Sequence, residues 1–246
     1  MATAKTARVT TVERTPGGSC IVELEVAEPL GFVGGQYIIV DSGRVLPSGK
    51  AAKRAYSIFT SDAEQRRFQL AVKRIPDGVV SAFMHALEPG QTFAFSGPWG
   101  KLGPTGETTG GATLVLATDT GISAALGLVQ AARMQPLLAA TTFVWLQADG
   151  DDYLPASRVQ ALIPAGPAGC GVVRFAALPP IDHPERVPHV RALLAAELAR
   201  PGGLARGYLS GDGAVNYALL ADLVAAGVPA TRDSVESFFN MPKKSA

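Results

Sequence analysis

Cysteine and histidine are scarce in this chain. Its 246 residues include two cysteines, Cys20 and Cys170, and three histidines, His85, His183 and His189. The common iron–sulfur clusters need four thiolates, so the chain holds none by itself and no fused plant-type ferredoxin domain is expected. Two thiols so far apart in sequence read as buried residues. Three scattered imidazoles suggest no metal site. An excess of charge is missing too: 22 basic residues face 21 acidic ones, for a net charge of +1. That balance gives no reason to expect nucleic acid or an anionic membrane as a partner. No uninterrupted apolar run could span a bilayer, and MATAKTARVTTVERT at the start lacks the apolar core of a signal peptide. A soluble, cytoplasmic protein is expected. What the chain does have is apolar residues, 47% of the total. That is enough for a sizeable core in one large domain or two ordinary ones.

The pattern changes once along the chain. Residues 5 to 98 read as six short strands, ARVTTVERT, CIVELEVAE, QYIIVDS, RAYSIFT, RFQLAVKRI and TFAFSGP, punctuated by turns such as Pro16-Gly17-Gly18 and Asp41-Ser42-Gly43. Six strands with turn signals predict a small antiparallel barrel, interrupted by one helix over Val80 to Leu87. Residues 103–112, rich in Gly, Thr and Pro, read as a linker. Beyond it the strands TLVLAT, TTFVWLQ, GVVRFAAL and GYLSG alternate with helices at about 122–134, 155–163, 188–199 and 214–226. Strand–helix alternation predicts a doubly wound parallel sheet. The expected domains are therefore 1–102, a β-barrel, and 113–246, an α/β domain with a C-terminal tail.

The stretch with the clearest chemistry is Arg54-Ala55-Tyr56-Ser57 within KRAYSIFT. On a strand it sets a fixed cation, an aromatic ring and a hydroxyl within a few ångströms of one another. A guanidinium grips phosphate in a fork, a ring packs on a planar heterocycle, and a hydroxyl reaches a ring nitrogen. A barrel strand with one snorkelling Arg and one core Tyr would look the same. Gly78-Val79-Val80-Ser81 follows, at a helix start whose free N–H groups and dipole suit an anion, or as an ordinary capped helix start. In the second half Thr118-Asp119-Thr120-Gly121 sits between the first parallel strand and its helix, where open sheets bind dinucleotides. Asp119 there reads as a helix N-cap, because its carboxylate would repel a pyrophosphate.

The order of these elements resembles the ferredoxin–NADP reductase family of flavoproteins. The series is Gly35-Gln36-Tyr37, R-x-Y-S, G-V-V-S, GPWG at Gly97 to Gly100, the strand–turn–helix at Thr113 to Met134, and YLSGDG at Tyr208 to Gly213. RAYSI and IPDGVVS are most similar to the family's bacterial ferredoxin/flavodoxin reductase branch. The resemblance implies FAD rather than FMN as cofactor, held by Arg54, Ala55, Tyr56, Ser57, Ala71, Val72, Lys73, Gly78, Val79, Val80 and Ser81. It implies Thr120 and Gly121 at the nucleotide turn and Phe238 or Phe239 over the flavin ring. It implies Ser57, Ser210 and Glu236 near the reaction centre, Ser210 standing where many members have Cys. It implies NADH or NADPH as co-substrate and a ferredoxin, a flavodoxin or an oxygenase component as electron acceptor. Around Asp149 three carboxylates stand where NADP-specific members place an Arg, which favours NADH. Arg158 is the nearby cation that could hold a 2′-phosphate, or a helix-surface arginine. Asp119, Ala124 and Ser210 depart from the family's G-T-G-I-A-P and C-G-P patterns. Two further readings stay open: a free-flavin reductase, and a flavin-binding electron-transfer subunit with weak or no nicotinamide binding.

Overall fold

The structure, a computed structural model, describes residues 4–105, 111–148, 150 and 153–241. The first six strands are β1 (Lys5–Arg14), β2 (Cys20–Glu25), β3 (Tyr37–Val45), β4 (Ala51–Ser57), β5 (Arg67–Val72) and β6 (Thr92–Trp99). They pair antiparallel in the order β4-β3-β6-β1-β2-β5. A bridge between Ile58 and Leu70 joins the two edges and closes the barrel. Period-two alternation decides which side chains go in. In β2, Val22 and Leu24 enter the core, while Glu23 and Glu25 turn out to accept hydrogen bonds from Thr10 and Arg67. Helix α1 (Val79–His85) plugs one end with Val80 and Met84.

The second half is built from β7 (Thr113–Thr118), α2 (Ile122–Val129), β8 (Thr141–Gln147), α3 (Ala156–Leu162), β9 (Val172–Ala177), α4 (Arg186–Leu198), β10 (Arg206–Asp212), α5 (Gly213–Ala225) and β11 (Val235–Phe239). The five strands are parallel, in the order β11-β10-β7-β8-β9. Every residue of β7 is buried, as befits a central strand covered on both faces. One face packs Val115, Phe143 and Trp145 against Leu126 of α2 and Val159 of α3. The other packs Leu114 and Leu116 against Val190 and Leu194 of α4 and Leu219 and Leu223 of α5. The expected barrel and doubly wound sheet are both present.

Two elements differ from expectation. The helix after β7 stops at Val129, and residues Ala132–Ala140 wind as a 3-10 helix. Pro136, which has no N–H to give an α ladder, lies within that 3-10 stretch. The stretch expected as a tail forms β11, an edge strand with Leu209 opposite Val235 and Ser210 opposite Glu236.

The halves meet along α2. A Cβ on Gly34 would overlap the Gly127 carbonyl oxygen, and one on Gly127 would overlap that of Ile58, so glycine alone permits this backbone approach. The Asp62 carboxylate accepts from the Gly34 and Ala132 amides, each at 3.0 Å. Arg133 donates to the Gly34 carbonyl at 2.8 Å, and Gln130 to that of Phe59 at 2.8 Å.

Candidate functional site

A cavity of roughly 340 Å³ opens where the halves meet. Strand β4 gives it Arg54, Ala55, Tyr56 and Ser57. The end of β5 gives Ala71 and, just beyond, Lys73. The turn into α1 gives Gly78, Val79, Val80 and Ser81. Thr120, Tyr153 and Phe238 come from the second half. Val72, between Ala71 and Lys73, turns the other way and is fully buried in the barrel core.

Ser57 is 5% exposed, and its hydroxyl has no hydrogen-bond partner among the described residues. A buried polar atom left unsatisfied costs about 1–3 kcal/mol, which a ligand atom in the cavity would return. Beside it, Tyr56 is half-buried, and burial pushes its phenol up while Arg54 pulls the other way. The phenol stays neutral, so its ring offers an apolar face. Arg54 is exposed and makes no side-chain hydrogen bond or ion pair among the described residues, whereas its neighbour Lys53 is paired with Asp41 at 2.9 Å. An orphan hydroxyl, an aromatic face and an unpaired guanidinium on one wall fit a flat ring carrying a phosphate. Ser81 lines the cavity and also holds the turn that leads into α1. Its hydroxyl accepts from the Ile75 amide at 3.2 Å and donates to the Gly78 carbonyl at 3.0 Å, so it shapes the turn. It does not cap α1, whose N-cap is Gly78.

Tyr153 was not legible as a site residue. It floors the cavity, 4% exposed. Its hydroxyl donates to the Ala71 carbonyl at 2.7 Å and lies 2.8 Å from Ser123 Oγ on α2. It follows the acidic run after β8, and nothing in that run shows which way a tyrosine points.

The turn after β7 is arranged otherwise. The expectation that Asp119 caps α2 is overturned: no side chain caps that helix. Asp119 has φ of +49°, which Asp tolerates better than most residues. Its carboxylate is ion-paired with Arg186, the first residue of α4. Arg186, 2% exposed, also donates from Nε to Asp212 at 2.7 Å and to the Pro179 carbonyl at 2.5 Å. Neither Arg186 nor Asp212 was singled out from sequence. Gly121 presses against Ser210, whose buried hydroxyl donates to the Gly121 carbonyl at 3.0 Å.

Glu236 on β11 stands beside Tyr37 and Gly100. Burial pushes its carboxyl up to about 7. Arg158 reaches the barrel and holds both oxygens of Glu13, at 2.7 and 2.6 Å. Asp149 lies outside the described residues. Both cysteines are free thiols, each pushed up to about 11 by burial. No group of residues that could hold a metal ion occurs among the described residues. None of the described helices is long and apolar enough to cross a membrane.

Residues 19–103 match the family of the oxidoreductase FAD-binding domain. A reductase subunit of an aromatic O-demethylase from Amycolatopsis sp. is 33% identical over 115 residues, 45% of this chain and 33% of that protein. Ferredoxin–NADP reductase B of Sorangium cellulosum is 37% identical over 101 residues, 41% of this chain and 39% of that protein. The matched segments thus span between a third and two fifths of these relatives. Among solved structures, an Amycolatopsis cytochrome P450 reductase superposes with a TM-score of 0.72 at 20% identity, covering 98% of this chain and 70% of that one. A ferredoxin reductase of carbazole 1,9a-dioxygenase gives 0.71 at 20% identity, covering 97% and 70%. The resemblance to the ferredoxin–NADP reductase family is borne out: residues 19–103 match an oxidoreductase FAD-binding domain, and the whole chain has the fold of solved ferredoxin reductases.

Proposed function

We propose, from an FAD-binding barrel set in a ferredoxin reductase-like fold, that this chain is a flavin-dependent oxidoreductase. It takes reducing equivalents from a nicotinamide dinucleotide, NADH in preference to NADPH. It delivers them to a separate carrier: a ferredoxin, a flavodoxin or an oxygenase component. The unpartnered hydroxyl of Ser57, buried in the cavity between the halves, carries this reading. When bound, FAD supplies the switch between two-electron and one-electron transfer.

The chain's own residues bind and orient. Arg54 offers an unspent fork of N–H donors to phosphate. Ser57 offers its hydrogen to a ring nitrogen. Tyr56 and Phe238 bring aromatic carbon to the cavity and keep water from it, and Thr120 closes the side formed by the second half. Ser81 holds the Ile75–Gly78 turn in shape. Glu236 keeps its proton up to about pH 7, so near neutrality its carboxyl can give or take one. The preference for NADH rests on the carboxylates of Asp149, Asp151 and Asp152 in the sequence and on Arg158. Its guanidinium is engaged by Glu13, so a 2′-phosphate would have to break an existing ion pair.

The test is an anaerobic absorbance spectrum of the FAD-loaded protein before and after NADH, then NADPH. Bleaching of the flavin band by NADH, slower with NADPH, is expected. A band bleached by neither overturns the nicotinamide part of the reading.

A further inference from the structure

An open parallel sheet takes a dinucleotide at its switch point, with the pyrophosphate at the start of the helix after the first strand. In this chain that point lies between the C-terminal ends of β7 and β10. It is filled from within. We infer that Arg186 and Asp119 form a clasp that holds the pyrophosphate subsite shut, and that Asp119 is the residue setting dinucleotide affinity. The inference rests on reading the second half as the nicotinamide half, and it deepens that reading.

The first argument is charge. Two carboxylates, Asp119 and Asp212, share one guanidinium. The clasp therefore carries a net negative charge, and it is buried, where salt screens little. A pyrophosphate approaching the turn would be repelled. The second is valence. Arg186 is the kind of residue that recognises phosphate in a fork, yet its nitrogens are committed to Asp212, the Pro179 carbonyl and Asp119. The third is space. A Cβ on Gly121 would overlap the Ser210 carbonyl, and one on Gly211 would overlap that of Thr118. The turn is thus packed onto β10 with no gap. Thr118 Oγ1 accepts from the Asp212 amide at 2.8 Å, which ties it down further.

The two acidic arms are not equivalent. Asp212 also accepts from the Ala214 amide, capping α5, and from Asn240, each at 2.9 Å. Removing it would loosen a helix. Asp119 is the arm whose loss opens the clasp without touching α5. Asp119→Asn keeps the shape and tolerates the left-handed backbone, removing only the charge. Asp119→Gly removes the carboxylate and leaves one arm of the guanidinium facing the turn.

The experiment is calorimetric titration of the FAD-loaded full chain with ADP-ribose, which carries the adenosine and pyrophosphate without the nicotinamide. At least fivefold tighter binding is expected for Asp119→Asn, and tighter again for Asp119→Gly. Flavin content should stay at the wild-type level. Affinity for Asp119→Gly within fivefold of wild type overturns the clasp; should that variant fail to fold, the same criterion applied to Asp119→Asn decides. Rapid bleaching of the wild type by NADH with no tightening in the variants removes the clasp and leaves the nicotinamide reading standing. Tightening without bleaching in any form keeps the clasp and removes NADH as donor.

Discussion

The cavity beside β4 and the turn after β7 are both places where this fold could meet a ligand, and they treat their polar groups in opposite ways. At the cavity two groups are unspent: among the described residues Ser57 Oγ is buried without a partner and Arg54 is unpaired. At the turn they are spent on one another. Ser210 bonds Gly121, Thr118 bonds Asp212, and Arg186 holds both Asp119 and Asp212. A chain folds without its ligand, so a buried donor with no protein partner is left for a ligand or a water to satisfy. A set of mutually satisfied groups needs no ligand. It marks a site that must be opened before it is used.

The strongest way to break this contrast is Arg186→Met. It strands two buried carboxylates and should cost about 3–5 kcal/mol of stability, read by urea unfolding. A loss below about 1 kcal/mol would mean that water reaches the clasp and that the turn is not closed. A smaller effect comes from comparing two serines. Ser210→Ala removes one hydrogen bond to the Gly121 carbonyl and should cost about 1 kcal/mol of stability. Ser57→Ala removes an orphan, so it should not destabilise the flavin-free protein, yet it should weaken FAD binding several-fold. Equal stability losses in the two variants would erase the distinction between spent and unspent hydroxyls.

An effect confined to high pH concerns Glu236. Its carboxyl titrates near 7 in the folded protein against an ordinary value of 4.5. Between these values the folded chain keeps a proton that the unfolded chain has lost. The stabilisation is therefore full below about pH 4.5 and is lost as pH rises through 7. Glu236→Gln should melt like wild type at pH 4.5 and roughly 10 °C higher at pH 8. Parallel melting curves at both pH values would show that burial does not hold the proton there.

The same contrast explains what the sequence could show. Arg54, Tyr56 and Ser57 are neighbours on one strand, and Gly78 and Ser81 lie in one turn, so their chemistry is local and can be read in order. The clasp joins residues 119, 186 and 212, which only the parallel crossovers bring together. In sequence Asp119 looks like a cap, Arg186 like a surface residue at a helix start, and Asp212 like part of a glycine turn. β11 was missed for a related reason. It is a short edge strand, half-buried along its length, and its pairing with β10 decides its conformation more than its own pattern does.

The FAD-binding match ends at residue 103, but the cavity does not end with it. Thr120, Tyr153 and Phe238 supply one wall, and the Tyr153 hydroxyl is fastened to the barrel backbone at Ala71. The barrel is therefore no interchangeable cartridge. A chimaera that grafts it onto the α/β half of a relative must carry Ser123 and Tyr153 along, together with the Gly34–Gly127 contact. Without them the transplanted part would arrive as a cup with its side cut away.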